Sequence, residues 1–382
     1  MPVTKLRVLI FLSTILVVGV FGTFVSFYAR GYRFNLKTQK FLPNGILVIK
    51  SEPDGASVFV NGELKTATNA NISISPGTYD IEVKKEGFFP WSKRLTIEKE
   101  IVTQATVSLF KTTPSLSPVT FSGAENPLQP EDGSKIAYID SRGLWVNDIT
   151  SLPLGFSRDP KRVTDGNLTG SIFEFSPDGS QILLTTGSGI FLLDSGIFTP
   201  QPQRTNVASR KNQILTDWQK QQKLINSSLL KNLPEEISEI FIKKTSKLTF
   251  SPDETMILYQ ASASARLAEN LVRKLPGAST QKQEREIKDG QTYIYDIKED
   301  RNFLISETKV PIHWLPNSRH LLLPGEDKIT IMDYDGTNRQ SVYSGSYIYP
   351  FAFPYSNTTK ILILTNLGSD STSPNLYSLT IK

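Results

Sequence analysis

Any nucleophile, general base or metal-ligand set in this chain would have to be assembled from a short inventory. The 382 residues include no cysteine and two histidines. That removes thiolate catalysis, disulfides, lipid attachment at a cysteine, and cysteine-based zinc or iron–sulfur sites. With His313 and His320 alone, a multi-histidine metal site is not expected either. His313 stands between Ile312 and Trp314, as a packed strand residue would, whereas His320 follows Arg319 at a hairpin and should face solvent. No Gly-x-Ser-x-Gly elbow, phosphate-binding glycine loop or metalloprotease signature occurs. Asp178, Asp253 and Asp333 could in principle ligate Ca²⁺, but Asx hydrogen bonds within turns account for them more simply. These residues name no catalytic, cofactor-binding or metal site and no binding residue. No cofactor is expected, and the chain is read as non-enzymatic.

The charge pattern also argues against one class of partner. The formal net charge is +5 and the pI about 9.0, with 42 basic residues scattered among 37 acids. A nucleic-acid groove needs clustered cations interleaved with aromatics, and the sequence displays a mixed, solvated surface instead. No nucleic-acid partner is expected.

Three kinds of segment must position whatever the chain presents, and the length suits two or three domains. The first is apolar: from Val8 to Tyr28 no residue is charged, enough at ~1.5 Å per residue to cross a hydrocarbon core of about 30 Å. Phe24, Phe27, Tyr28 and Tyr32 gather at its C-terminal end, as an interfacial belt would. A cleavable signal peptide would have a shorter apolar region and a small-x-small site, whereas Phe27-Tyr28-Ala29 is bulky at its first position. An uncleaved signal anchor within residues 1–36 is expected, with the lipid bilayer as its partner. Lys5 and Arg7 on one flank nearly balance Arg30, Arg33, Lys37 and Lys40 on the other. Charge alone therefore leaves the orientation open.

The second segment, 37–111, alternates apolar pairs with turn dipeptides. Ile46 and Val48, Val58 and Val60, Ile72 and Ile74, and Tyr79, Ile81 and Val83 are expected to share one buried face. Pro53-Asp54-Gly55, Asn61-Gly62, Pro76-Gly77 and Glu86-Gly87 supply corners, and Asn-Gly favours a type I′ hairpin. The reading is a small all-β sandwich with no room for an enzyme cleft. Ser51-Glu52-Pro53-Asp54-Gly55-Ala56, Val58-Phe59-Val60-Asn61-Gly62, Pro76-Gly77-Thr78-Tyr79 and Lys85-Glu86-Gly87-Phe88 with Pro90-Trp91 resemble the PEGA domain. Two departures stand out: Asp54 replaces the family's Glu, and Thr66-Ala67-Thr68 lacks its usual Gly-x-Thr-Pro. The resemblance implies a bacterial envelope module without catalysis. It also implies a cytoplasmic N-terminus with the bulk of the chain extracytoplasmic.

The third segment repeats. After a Pro/Ser-rich stretch, Thr113 to Pro118, residues 112–130 read as a linker or first propeller strand, and 131–382 carry a recurring aromatic–Ser–Pro–Asp–Gly corner before an apolar run. Phe175-Ser176-Pro177-Asp178-Gly179 and Phe250-Ser251-Pro252-Asp253-Glu254 are the clearest copies. Degenerate ones begin at Pro130, Trp314 and Phe353. Each is followed by another short strand, the pattern of a propeller blade. The copies resemble TolB-like and WD-type β-propeller repeats, implying five to six blades. A sixth would draw on Pro118-Val119-Thr120-Phe121. A helical insertion is expected at about 210–245, broken at Pro234, either as a cap packed on the propeller rim or as a partner-binding hairpin. A second, polar insertion near Ser262 to Gly290 could hold a short helix over Ala263 to Lys274.

The whole is read as an all-β, single-pass, membrane-anchored binding or scaffold protein of the cell envelope. Its propeller face would recognise an envelope protein, a peptide or a polysaccharide. The alternative is a propeller hydrolase or lyase acting on cell-wall glycan or peptide, which would need two channel carboxylates about 5–9 Å apart.

Overall fold

The structure, a computed structural model, describes residues 5–29, 32–35, 40–149, 159–271, 279–369 and 373–382. Of the cations counted in the flank of the apolar segment, Arg30 and Lys37 lie outside them. The chain divides into two compact units: Met1–Leu109 with Leu275–Gln281, and Phe110–Lys274 with Lys282–Lys382.

The first unit opens with helix α1 (Lys5–Ala29), followed by a hairpin of β1 (Tyr32–Asn35) and β2 (Lys40–Pro43). None of the apolar span Arg7–Ala29 is buried within the protein. Seven strands then form a sandwich: β3 (Gly45–Glu52), β4 (Ser57–Val60), β5 (Glu63–Ala67), β6 (Ala70–Ile74), β7 (Gly77–Lys84), β8 (Trp91–Ile97) and β9 (Val102–Ser108). One sheet runs β6-β3-β9, with β3 and β9 parallel, and the other runs β5-β4-β7-β8. Asn61 and Gly62, with φ of 50° and 81°, close the β4–β5 hairpin, a turn that needs both central residues in the left-handed region. Asn61 Oδ1 then accepts the Asp80 amide at 2.9 Å, tying the hairpin tip to β7.

Val58, Val60, Ile81 and Val83 are buried and Ile72, Ile74 and Tyr79 pack on them, but β3 faces the other way from expectation. Leu47 and Ile49 are fully buried, while Ile46 is 38 % exposed. The run Ile46-Leu47-Val48-Ile49 is apolar at every position, so it offers both parities, and the neighbours decide. Leu47 pairs with Ile72 and Ile49 with Ala105, both on the core side. Where the usual Gly-x-Thr-Pro is missing, Thr68 does the tying. Its Oγ1 accepts the Ala56 amide at 3.0 Å and its amide donates to the Ala56 carbonyl at 2.8 Å.

The second unit is a β-propeller with five blade sheets and one small two-stranded sheet among the described residues. The first blade is β11 (Glu125–Leu128), β12 (Lys135–Asp140), β13 (Gly143–Asp148) and β14 (Lys161–Asp165). The second has three strands, β15 (Ile172–Phe175), β16 (Gln181–Thr186) and β17 (Gly189–Asp194). The third is β18 (Thr245–Phe250), β19 (Met256–Ala261), β22 (Thr292–Asp296) and β23 (Arg301–Ser306), with the small hairpin β20 (Ala265–Arg266) and β21 (Glu286–Ile287) inserted in its middle. The fourth is β24 (His313–Trp314), β25 (His320–Pro324), β26 (Ile329–Asp333) and β27 (Gln340–Tyr343).

The fifth blade joins β28 (Ala352–Pro354), β29 (Lys360–Thr365) and β30 (Asn375–Thr380) to β10 (Ser115–Pro118) from the other end of the unit. Of the two readings of residues 112–130, linker or propeller strand, the structure has a strand at Ser115–Pro118, and it closes the ring. Pro118 is tolerated because it ends an edge strand. The strand completes the fifth blade and, among the described residues, pairs in no other sheet.

Both faces of each blade carry apolar side chains, since period-2 alternation serves two neighbours at once. Ala137, Ile139 and Leu144 of the first blade pack with Phe173 and Leu184 of the second, and Ile136 and Tyr138 on the other face pack with Phe353 and Leu362 of the fifth. Met256, Leu258 and Ile294 of the third meet Trp314 and Leu321 of the fourth. The opposite face of the third blade, with Ile257, Tyr259, Tyr293 and Tyr295, is covered by helices.

α2 (Lys211–Leu230) and α3 (Glu235–Lys244) bring Leu230, Leu233, Ile237 and Phe241 onto it, together with Leu267 and Ile287 of the inserted hairpin. The insertion does not cap a rim: it occupies a blade face. Over residues 263–271, part of the segment read as a helix, the structure has β20 and no helix, while 272–274 lie outside the described residues.

Candidate functional site

The corner acids are structural. Asp178 Oδ1 accepts the Ser176 hydroxyl at 2.6 Å and the Ser180 amide and hydroxyl at 3.1 and 2.8 Å, which pulls its carboxyl down to about 2. Ser176 Oγ in turn accepts the Gln181 amide at 2.9 Å. Asp253 repeats the arrangement with Ser251 and Thr255. In the degenerate copies Asn317 and Asn357 use the same carbonyl position to accept the amides two residues on, each at 3.1 Å. These are Asx turns with their lone pairs spent on the chain. Among the described residues no three His, Asp or Glu side chains gather as a metal site.

His320 does not face solvent. It is 3 % exposed, with Nε2 lying 3.3 Å from Asp333 Oδ1 and Nδ1 2.8 Å from Asn317 Nδ2. The Phe110 ring meets it edge-on at 5.2 Å. Sequence position at a hairpin missed this because His320 pairs directly with Asp333 across β25 and β26, which turns it toward a neighbour strand's acid.

The first strands of the blades lie side by side, as the innermost strands of a propeller do. Trp314 Nε1 of β24 donates to the Thr249 carbonyl of β18, the His313 ring lies 5.8 Å from Phe353 of β28, and Gln129 Nε2 after β11 donates to the Pro354 carbonyl. One polar group of displaced protonation sits in this inner layer and another beside it. His313 is half-buried, and that desolvation, with repulsion from the Lys247 ammonium on β18, pushes its pKa down to about 4. The ring is neutral at physiological pH. Glu131, in the corner after β11, is exposed, and partial desolvation raises its carboxyl while the Lys247 ammonium and the Gln222 amide of α2 partly restore it. Lys247 thus acts electrostatically on both His313 and Glu131, and links blades one, three and four. Sequence patterns did not bring these residues together, because they are separated in sequence and meet only through ring closure and the helical insertion.

A second buried polar web ties the inserted hairpin to the third blade. Arg285 Nη1 donates to Asp300 Oδ1 at 2.9 Å and to the Ala268 carbonyl at 3.0 Å. The Tyr295 hydroxyl donates to the same Asp300 oxygen at 2.9 Å. Tyr259 donates to Asn302, which donates to the Glu284 carbonyl, at 2.8 and 2.7 Å. Every member has a partner, so the web acts as a fastening.

No curated protein matches the chain. Among solved structures, the chain is similar to TolB from Agrobacterium tumefaciens, with 16 % identity, 66 % of this chain and 73 % of that one covered, and a TM-score of 0.23. It is also similar to Hsv2 from Kluyvelomyces marxianus, with 10 % identity, coverage of 64 % and 74 %, and a TM-score of 0.24. A third similarity is to the Cps50 (Swd1) β-propeller domain from Myceliophteria thermophila, at 11 % identity, coverage of 65 % and 82 %, and a TM-score of 0.25. The propeller reading rests on the five sheets and their closure by β10. The PEGA domain model matches residues 44–113. Taken with the Asn61-Gly62 hairpin and the two-sheet core, that match makes residues 44–113 a PEGA domain, carried on the same chain as a β-propeller.

Proposed function

We propose that this is a non-catalytic binding or scaffold protein of the cell envelope, held in the membrane by α1 with its PEGA domain and propeller outside the cytoplasm. The observation that carries the reading is the succession of an unburied apolar helix and a PEGA domain. A helix whose span Arg7–Ala29 is wholly unburied needs an apolar environment, and the PEGA domain begins only a short hairpin later, at residue 44. The propeller supplies a rigid ring whose loops need little ordering on contact, which favours binding. A protein, peptide or polysaccharide of the envelope is the partner class.

Protease added to intact spheroplasts tests the placement. The expected result is loss of the PEGA domain and propeller, with a membrane-embedded N-terminal fragment retained after carbonate extraction. Full protection until lysis overturns the orientation, and a mature N-terminus beginning after Ala29 overturns the anchor.

A further inference from the structure

On the first blade, a row of side chains runs outward across the face that meets the fifth. Tyr138, Trp145 and Arg162 are successive cross-strand partners on β12, β13 and β14. Exposure rises along the row, from 5 % at Tyr138 through half-buried Trp145 to exposed Arg162. The segment after β17 extends the row past the sheet edge: the Thr199 amide bonds the Val163 carbonyl at 2.8 Å, and neighbouring Phe198 is 44 % exposed. The Arg162 guanidinium lies 4.9 Å from the Phe198 ring centre and 5.9 Å from that of Trp145. Arg142 approaches the Trp145 ring at 4.8 Å.

The two cations are not equivalent. Arg142 is neutralised by Asp140, at 2.8 Å from Nη2 and 3.1 Å from Nε, and the same carboxylate takes the Trp145 indole N–H at 2.7 Å. That bonding fixes the inner half of the row. Arg162 has no carboxylate partner among the described residues. Asn147, two positions from Trp145 and so on the same face of β13, is 7 % exposed and its Oδ1 has no donor among the described residues. A held guanidinium with its edge donors unused and a buried acceptor without a donor occupy one face.

We propose that this row binds an acidic polysaccharide, a polymer carrying carboxylates on its sugar rings. Proximity to two aromatic rings restricts the Arg162 side chain in advance and leaves its planar N–H fork available to a ligand. Such a fork matches a carboxylate bidentately. The open Phe198 ring beside it offers an apolar platform to the C–H face of the same sugar. A single-stranded nucleic acid would also bring anions and rings, but it stacks successive bases on several open aromatic faces. Here Trp145 is flanked by both arginines, and Phe198 alone in the row is openly exposed. The inference rests on the proposed extracytoplasmic reading only for where the polymer would be met.

Binding of the full chain in detergent micelles to polygalacturonate, neutral dextran and a dT20 oligonucleotide tests it. Polygalacturonate should bind, more weakly as salt rises, and dextran should not. Arg162→Ala should weaken binding about ten-fold or more, since a charge-assisted hydrogen bond is lost. Arg162→Lys should recover little, because the fork and the stacking are both gone. Lys161→Ala, an exposed neighbour, should stay within about two-fold. If Arg162→Ala melts before assay, Phe198→Ala keeps the charge and should still weaken binding about three-fold. No polygalacturonate binding, tighter binding of dT20, or unchanged affinity in the assayed Arg162 or Phe198 variant each overturns the proposal. Because the assay is indifferent to membrane side, its failure leaves the spheroplast result standing, and the reverse holds too.

Discussion

Arg285 and Asp300 form a buried ion pair at 2.9 Å, with 7 % and 4 % of their side chains exposed. Asp300 also takes the Leu271 amide at 3.2 Å, so one carboxylate joins the inserted hairpin to the turn between β22 and β23. Breaking such a pair from one side strands a charge, which costs about 3–5 kcal/mol. Arg285→Ala should lose that much in urea denaturation of the propeller. A simultaneous Arg285→Met and Asp300→Asn exchange should recover part of it, because no unpaired charge remains and the Asn carbonyl can still accept the Leu271 amide. A loss below about 1 kcal/mol in the single variant would show that the web contributes little.

Ring closure rests on a smaller contact. Thr120 Oγ1 donates to Asn375 Oδ1 at 3.0 Å and accepts the Leu376 amide at 2.9 Å, and Gly123 donates to the same Asn375 oxygen at 3.0 Å. Thr120 is 6 % exposed. Thr120→Val keeps the shape and leaves the Leu376 amide without its acceptor, which should cost about 1–3 kcal/mol. Exposed Ser117→Ala, in the closing strand, should shift stability by less than about 0.5 kcal/mol. Matched thermal or urea midpoints for the two variants would deny the closure its energetic role.

Much of this architecture is written in local pattern. Asn61-Gly62 and the Ser-Pro-Asp corners place their turns because each depends on residues within five positions of one another. What sequence left open depends on distant neighbours. The parity of β3 needed β6 and β9, since Ile46 to Ile49 are uniformly apolar. The burial of His320 needed Asp333 across the sheet, and the strand at Ser115–Pro118 needed β30 from the far end of the unit. The inner group around Glu131 and His313 and the row from Trp145 to Phe198 are likewise products of closure, each built from segments that carry no motif alone.

The helical insertion makes a separate claim on stability. Phe241 of α3 is 2 % exposed and meets Tyr259 edge-on at 4.9 Å and Tyr295 at 5.5 Å. Its neighbour Ile242 is 59 % exposed. If α3 serves as the cover of the third blade, Phe241→Ala should cost about 3–5 kcal/mol and Ile242→Ala less than about 0.5 kcal/mol. Denaturant midpoints measure both. Equal, small losses would mark α3 as a detachable appendage and return the open face of the third blade to solvent.

Asp296, 3 % exposed at the end of β22, should give the propeller a pH dependence of unusual sign. Burial first, and the Glu299 carboxylate second, raise its carboxyl to about 7, while the Lys298 and Glu299 amides, both 2.9 Å from Oδ1, lower it only partly. Tyr334, pushed upward by burial and by this acid among others, lies in the same field. An unfolded aspartate ionises near pH 4, so between about pH 4 and 7 the native state holds a proton that the unfolded state has released. Stability therefore falls as pH rises through that window and levels above it. Between pH 5 and 8 the loss from this group should be about 2–3 kcal/mol. Asp296→Asn keeps the acceptor for both amides and removes the titration, so its urea midpoint should fall less over the same interval. Identical slopes for the two proteins would mean that Asp296 is already ionised in the folded state at pH 5.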